Sequence, residues 1–323
     1  MLPERRREGA RPPRVVAAAA VTPGTLRRYQ AAFIMFQEWA DAEGVVLSRG
    51  MPAWQLDALG ARFLGDLSEK YEGGMRHVAA CLSQAIYGAL GERYRSRLPE
   101  IARVNKAWKR LYPGASHSPL PSTWVDFLAV ELSRQGDLDM AIGALLLFNG
   151  FLRISELTGL RARDVLLPED DRGSGTGAAG VRLAFTKTGR DQFAPVDDAV
   201  VLRYLRLLRL SVASGNQRLF CFAPATFNKA LAKACRSLGF PVFTSHSFRH
   251  GAAARACLAG VPPEDIRRRG RWGSLMAMEP YLQTVRSMLL LSSTPAWLLP
   301  LVHYLPLWRA NLGAFSVSRA ALF

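Results

Sequence analysis

The chain has 323 residues, long enough for two domains, each with its own core. Its 42 Lys and Arg against 26 Asp and Glu leave a net charge of +16, which points to a polyanionic partner. Four cysteines (Cys81, Cys221, Cys235, Cys257) lie too far apart for a zinc site and do not suggest a disulfide framework, and they read as free thiols of a reducing compartment. Residues 15–21 form a short Ala-rich run rather than the apolar core of a secretory signal. The chain is therefore expected in the nucleus if its source is eukaryotic, in the cytoplasm otherwise, and not outside the cell.

Residues 1–20 are rich in Arg and Pro and read as a disordered basic arm, which could touch DNA, act as an address, or be a leader without function. From Thr22 to Pro113 the periodicity is helical. A first helix starts at Thr22 or Thr25, with Leu26, Tyr29, Phe33, Phe36 and Ala40 on one stripe, and ends at Gly44. Others are predicted over about 54–71, 75–94 and 99–112, making a helical bundle over 21–112. Its basic faces carry Arg27, Arg28, Arg76, Lys106, Lys109 and Arg110. Residues 113–121, with three prolines, read as a linker.

A second domain is expected over 122–287. It opens with a helix near 124–135 and an apolar, buried one over 139–149. Gly150-Phe-Leu-Arg153-Ile-Ser-Glu156 follows, with Glu156 one helical turn beyond Arg153 and placed to brace it by a hydrogen bond. A short strand over 164–167, a polar loop over 169–180 and a hairpin over 181–196 come next, with Lys187 and Arg190 near its turn. Helices are predicted over 199–213 and 226–238, the latter with a basic stripe of Lys229, Lys233 and Arg236. Thr244 and Ser245 can cap a helix opened by His246, which puts His246 and Arg249 on one face at its positive end, a good seat for phosphate. His250 follows, Gly260 closes the helix, and a short second helix leads into Gly270-Arg271-Trp272. A third carries Met278 and Tyr281, nine residues beyond Trp272. Residues 288–323 form a hydrophobic extension broken by Pro295, Pro300 and Pro306, in which no run reaches the length of a membrane span.

The ordered set Arg153, Lys187, His246-x-x-Arg249, Trp272 and Tyr281 resembles the tyrosine recombinase (phage integrase) family. The resemblance implies a mainly α protein with a small antiparallel β-sheet. Its N-terminal helical bundle would be the SAM-like core-binding domain, and its C-terminal domain the tyrosine recombinase catalytic fold. It also implies that Arg153 and Arg249 hold a DNA phosphate, that His246 orients it and exchanges a proton, and that Lys187, with Arg190 as a rival, protonates the leaving 5′ oxygen. Trp272 would donate from its indole N–H or pack against the site, with Glu156 and His250 in support. Tyr281 would be the nucleophile, forming a 3′-phosphotyrosine link that conserves the bond energy, without metal, ATP or other cofactor. The partner would be double-stranded DNA, clamped between the two domains, with helix 226–238 in its major groove and copies of the chain assembling on it as a tetramer. No membrane is involved. The tail beyond 287 could dock on a neighbouring subunit or be an unrelated extension. A type IB topoisomerase-like enzyme and a silent DNA-binding protein on the same fold remain alternatives to a recombinase acting for a mobile element.

Overall fold

The computed structural model describes residues 21–113, 117–170, 179–186 and 189–315, except for the side chains of Phe185, Arg190 and Phe315. The basic arm, Lys187 and most of the 169–180 loop lie outside the described residues. The chain divides into two units, Met1–Ala115 and Ser116–Phe323.

The first unit is built of α1 (Pro23–Ala42), α2 (Ala53–Tyr71), α3 (Arg76–Leu90) and α4 (Pro99–Leu111). Thr22 caps α1, its hydroxyl accepting from the Thr25 amide. The core gathers one apolar stripe from each helix, including Phe36, Leu56, Phe63, Leu82, Ile86, Ile101 and Trp108. The buried Asp57 on α2 accepts from the amides of Glu100 and Ile101, and so caps α4 from a neighbouring helix. The helix expected over 75–94 is two pieces. Gly91 adopts φ 117°, which ends α3, and Glu92–Tyr94 continues as a 3-10 turn. Tyr94 is then buried, with its hydroxyl donating to the Met51 carbonyl at 2.8 Å.

In the second unit α5 (Ser122–Arg134) packs on α6 (Leu138–Asn149), every residue of which from Met140 onward is buried. Next come α7 (Ile154–Gly159), β1 (Val165–Leu166), β2 (Gly180–Thr186), β3 (Gly189–Pro195) and α8 (Ala199–Leu210). They are followed by α9 (Pro224–Ser237), α10 (Ser245–Leu258), α11 (Pro263–Gly270), α12 (Leu275–Met278), α13 (Thr284–Ser292) and α14 (Leu305–Ala310). The strands form an antiparallel sheet in the order β1-β2-β3, with Val181 opposite both Val165 and Ala194. The expected class, mainly helical with a small antiparallel sheet, is the one observed. Tyr281 ends a 3-10 turn, Glu279–Tyr281, rather than sitting on the short helix before it.

Two parts of the chain differ from their sequence reading. From His117 on, the expected linker belongs to the second unit: Leu120 is fully buried and its amide donates to the Ser247 carbonyl on α10. Gly251 makes that contact possible, since a Cβ there would lie 2.0 Å from the Leu120 carbonyl oxygen. The hydrophobic extension packs on its own unit, burying Leu298, Leu305 and Leu312 in the same core as α5 and α6. The Tyr204 hydroxyl accepts from the Leu312 amide and donates to the Arg309 carbonyl, and Arg309 pairs with Asp126 and Asp198. Among the described residues no single helix is long and apolar enough to cross a membrane.

Candidate active site

Arg249 is the fifth residue of α10, at the start of its second turn. Thr244 caps that helix, and the Ser245 amide donates to Asn228 Oδ1 of α9 at 2.8 Å, which fixes the helix start against its neighbour. Arg249 as a whole residue is only 1 % exposed. Its Nη1 donates to the Phe151 carbonyl at 2.6 Å and its Nη2 to the Gly270 carbonyl. It stacks over Trp272 at 4.4 Å and lies 5.9 Å from the Tyr281 ring. Burial, with Arg153 and Arg271 nearby, lowers it to about 9, so it stays charged at neutral pH.

Arg153 arrives from the other side, as the N-cap of α7. Phe151, two residues earlier, has φ 52°, a left-handed conformation that is costly for a bulky residue and turns its carbonyl towards Arg249. Glu156 reaches back with Oε2 to the Arg153 amide at 2.9 Å and with Oε1 to Arg153 Nη1 at 2.6 Å. Burial pushes the Glu156 carboxyl up, but the Arg271 charge and the Arg153 donors outweigh it and hold the group below the usual carboxylate range.

Tyr281 is half-buried between two rings. Its centroid is 4.1 Å from His250 and 4.8 Å from Trp272. His250 is buried and accepts at Nδ1 from Gln283 Nε2 at 3.2 Å. Burial, together with His117, His246, Arg249 and Arg286, lowers His250 to about 4, so it is neutral at physiological pH. His246 is exposed and stacks on His117 at 5.1 Å, and the His117 ring sits 3.2 Å from the Thr244 hydroxyl.

The structure thus brings Arg153, Glu156, His246, Arg249, His250, Trp272 and Tyr281 together. Lys187 lies outside the described residues, and of Arg190 only the backbone, paired with Phe185 in the hairpin, is described. Two buried donors of the site, Arg249 Nε and Trp272 Nε1, have no acceptor among the described residues. A buried unpaired donor costs about 1–3 kcal/mol, which an incoming oxygen would recover. Cationic forks, a neutral imidazole and unpaired N–H groups around a phenol suit a tetrahedral oxyanion such as phosphate.

Sequence reasoning missed three residues. Arg271, in the quoted Arg-Gly-Arg-Trp stretch, is buried and bonds to Glu156 at 2.9 Å. Gln283 holds His250, and His117 lies in what read as a linker. Of the basic residues proposed to meet DNA, Lys229, Lys233 and Arg236 are exposed on α9, Arg27 and Arg28 on α1, and Lys106, Lys109 and Arg110 on α4. Arg76 is half-buried and donates to the Tyr112 carbonyl.

Residues 130–286 match the model of the phage integrase family. Among solved structures the chain is similar to the Tn1549 transposon integrase in complex with circular intermediate DNA, at 16 % identity and a TM-score of 0.59, over 85 % of this chain and 96 % of that one. It is also similar to XerH site-specific recombinase bound to a palindromic difH substrate, at 14 % identity and a TM-score of 0.57, over 84 % and 79 %. A lambda integrase dimer bound to a COC′ core site gives 13 % identity and a TM-score of 0.56, over 84 % and 92 %. No curated protein sequence matches the chain. With this site inside the matched region, the chain carries a domain of the phage integrase family, the tyrosine recombinases.

Proposed function

We propose that the protein cleaves and rejoins DNA strands with Tyr281 as nucleophile. The observation that carries this reading is the packing of the Tyr281 phenol among Arg249, Trp272 and His250, with unpaired buried donors beside it. Arg153 and Arg249 hold the non-bridging oxygens and stabilise the charge that builds on them in the transition state. The Tyr281 oxygen attacks phosphorus as its proton leaves, with His246 as the exchanging group. The P–O5′ bond breaks, the 5′ oxygen takes a proton from Lys187, and a 3′-phosphotyrosine remains. Attack by a 5′ hydroxyl reverses these steps and rejoins the strand, with no need for ATP.

The fold relatives solved with DNA support a duplex as partner, and the exposed basic stripe on α9 offers charge to its backbone. Copies of the chain would assemble on the duplex as a tetramer, in the nucleus or cytoplasm, in recombination or integration of a mobile element. A duplex nicked just beyond the scissile phosphate tests the chemistry. The expected result is a covalent protein–DNA adduct that Tyr281→Phe abolishes. Absence of an adduct across a library of sites would leave a silent DNA-binding protein, and relaxation of a supercoiled circle without exchange between duplexes would favour a type IB topoisomerase.

A further inference from the structure

Arg271 has no part in the mechanism above, yet it is a buried charged residue, at 8 % exposure. Its backbone is left-handed, φ 57° and ψ 40°, at the end of α11. A glycine would suit that backbone better, so the side chain has strain to offset. The side chain turns inward. Nη1 donates to the carbonyls of Gly150 at 3.3 Å and Arg269 at 3.1 Å, and Nη2 to the Phe151 carbonyl at 3.1 Å and to Glu156 Oε2 at 2.9 Å.

The last two acceptors are shared. The Phe151 carbonyl also receives Arg249 Nη1, and the Glu156 carboxylate also receives Arg153 Nη1 and the Arg153 amide. One guanidinium therefore grips the anchor of each arginine assigned to the phosphate. The next residue, Trp272, is the ring on which Arg249 lies, and its amide and carbonyl are both bonded to Arg267. We propose that Arg271 is a positioning residue, a planar clamp that sets the spacing and direction of Arg153 and Arg249 while touching no substrate itself. The proposal rests on the strand-cleavage reading.

The physical reason is electrostatic as well as geometric. Glu156 faces two cations and divides its oxygens between them. With Arg271 removed, only the Arg153 amide still holds Oε2, and the carboxylate is freer to take both branches of the Arg153 fork, directing that fork at protein instead of phosphate. A lysine at 271 keeps the charge, but one ammonium cannot meet both the Glu156 and Phe151 acceptors held by Nη2 and the Gly150 and Arg269 carbonyls held by Nη1.

The experiment compares wild type, R271K, R271Q and R271Q/E156Q for single-turnover adduct formation on the nicked duplex, for duplex affinity, and for thermal midpoint. Displacing a catalytic group by about 1 Å can cost on the order of 100-fold. The expected result is a loss of that size in the adduct rate of R271Q, with affinity within about 3-fold of wild type. R271K should remain impaired, and R271Q/E156Q should regain part of the loss because the carboxylate that captures Arg153 is gone. Wild-type rates in R271Q would overturn the proposal, as would equal losses in R271Q and R271Q/E156Q that follow the thermal midpoint. Separately, the Glu156 carboxyl should titrate higher in R271Q than in wild type by 13C NMR, a readout that needs no cleavage; no change there would also overturn it. A wild type that forms no adduct would count against the strand-cleavage reading, and the titration would still decide whether Arg271 holds Glu156.

Discussion

His250 and Tyr281 stack at 4.1 Å with their planes 28° apart, and the imidazole is held neutral beside the Arg249 guanidinium. Burial lowers His250 from 6.5 to about 4, with His117, His246, Arg249 and Arg286 adding to the effect. The folded value lies below the unfolded one, so the unfolded chain takes up the proton first as pH falls. Stability is full above about 6.5 and declines towards about 4. His250→Gln should flatten that decline, which urea titrations at pH 7 and pH 5 would reveal. An unchanged slope would show that another group carries it.

Glu156 and Arg271 form a buried pair, with side chains 2 % and 5 % exposed. Removing one partner of such a pair costs about 3–5 kcal/mol, because the other charge is left buried. Glu156→Ala should therefore lower unfolding stability by that order, and Glu156→Ala combined with Arg271→Met by clearly less than the two single changes summed. Chemical denaturation of the set measures both.

Gly270 lies under Trp272 so closely that a Cβ would meet the indole at 1.6 Å. Gly270→Ala must push the ring off Arg249, and overpacking of this kind costs about 1–3 kcal/mol. Tryptophan fluorescence should shift, and adduct formation should fall by more than the stability loss explains. An alanine variant with native fluorescence would contradict the packing described.

Arg309 pairs with Asp126 and Asp198, which otherwise face each other. Burial raises Asp126 to about 6, against the pull of Arg309 and with Asp198 adding to the rise. This folded value lies above the unfolded 3.8, so the associated stability is present at low pH and lost as pH rises through about 6. Arg309→Ala should therefore destabilise more at pH 7 than at pH 5. Thermal midpoints at the two values test the sign.

The α9 stripe carries a prediction for the DNA complex. If Lys229 and Lys233 each meet a phosphate, replacing both by Ala should reduce the slope of log affinity against log salt by about 1.8. Loss of affinity with no change of slope would place the lysines away from the backbone.

Much of the helical layout was legible because amphipathic stripes such as Leu56, Phe63, Leu64 and Leu67 declare themselves at helical spacing. The break at Gly91 was not, since a glycine inside a periodic run is often tolerated. Arg153, Arg249, Trp272 and Tyr281 could be named because each sits in a short motif, and the structure gathers them. Arg271 stood one residue before Trp272 and was passed over. Its role depends on a left-handed turn and on a partner 115 residues away, and periodicity carries neither. His117 was hidden similarly: three prolines between 113 and 121 suggest a tether, whereas the Leu120 amide fastens that stretch to α10. The role of the tail could not be read because an apolar run broken by prolines has no period to assign it a face.

The bond between the Leu312 amide and the Tyr204 hydroxyl bears on how the protein is handled at the bench. Leu312 has no exposed surface, so a purification handle or reporter fused just before it would pull a plug from the fold. Shortened versions ending near 287, attractive because the family match stops at 286, would uncover the α5 and α6 surface that Leu298, Leu305 and Leu312 cover, and should turn up as aggregates rather than as a smaller working protein.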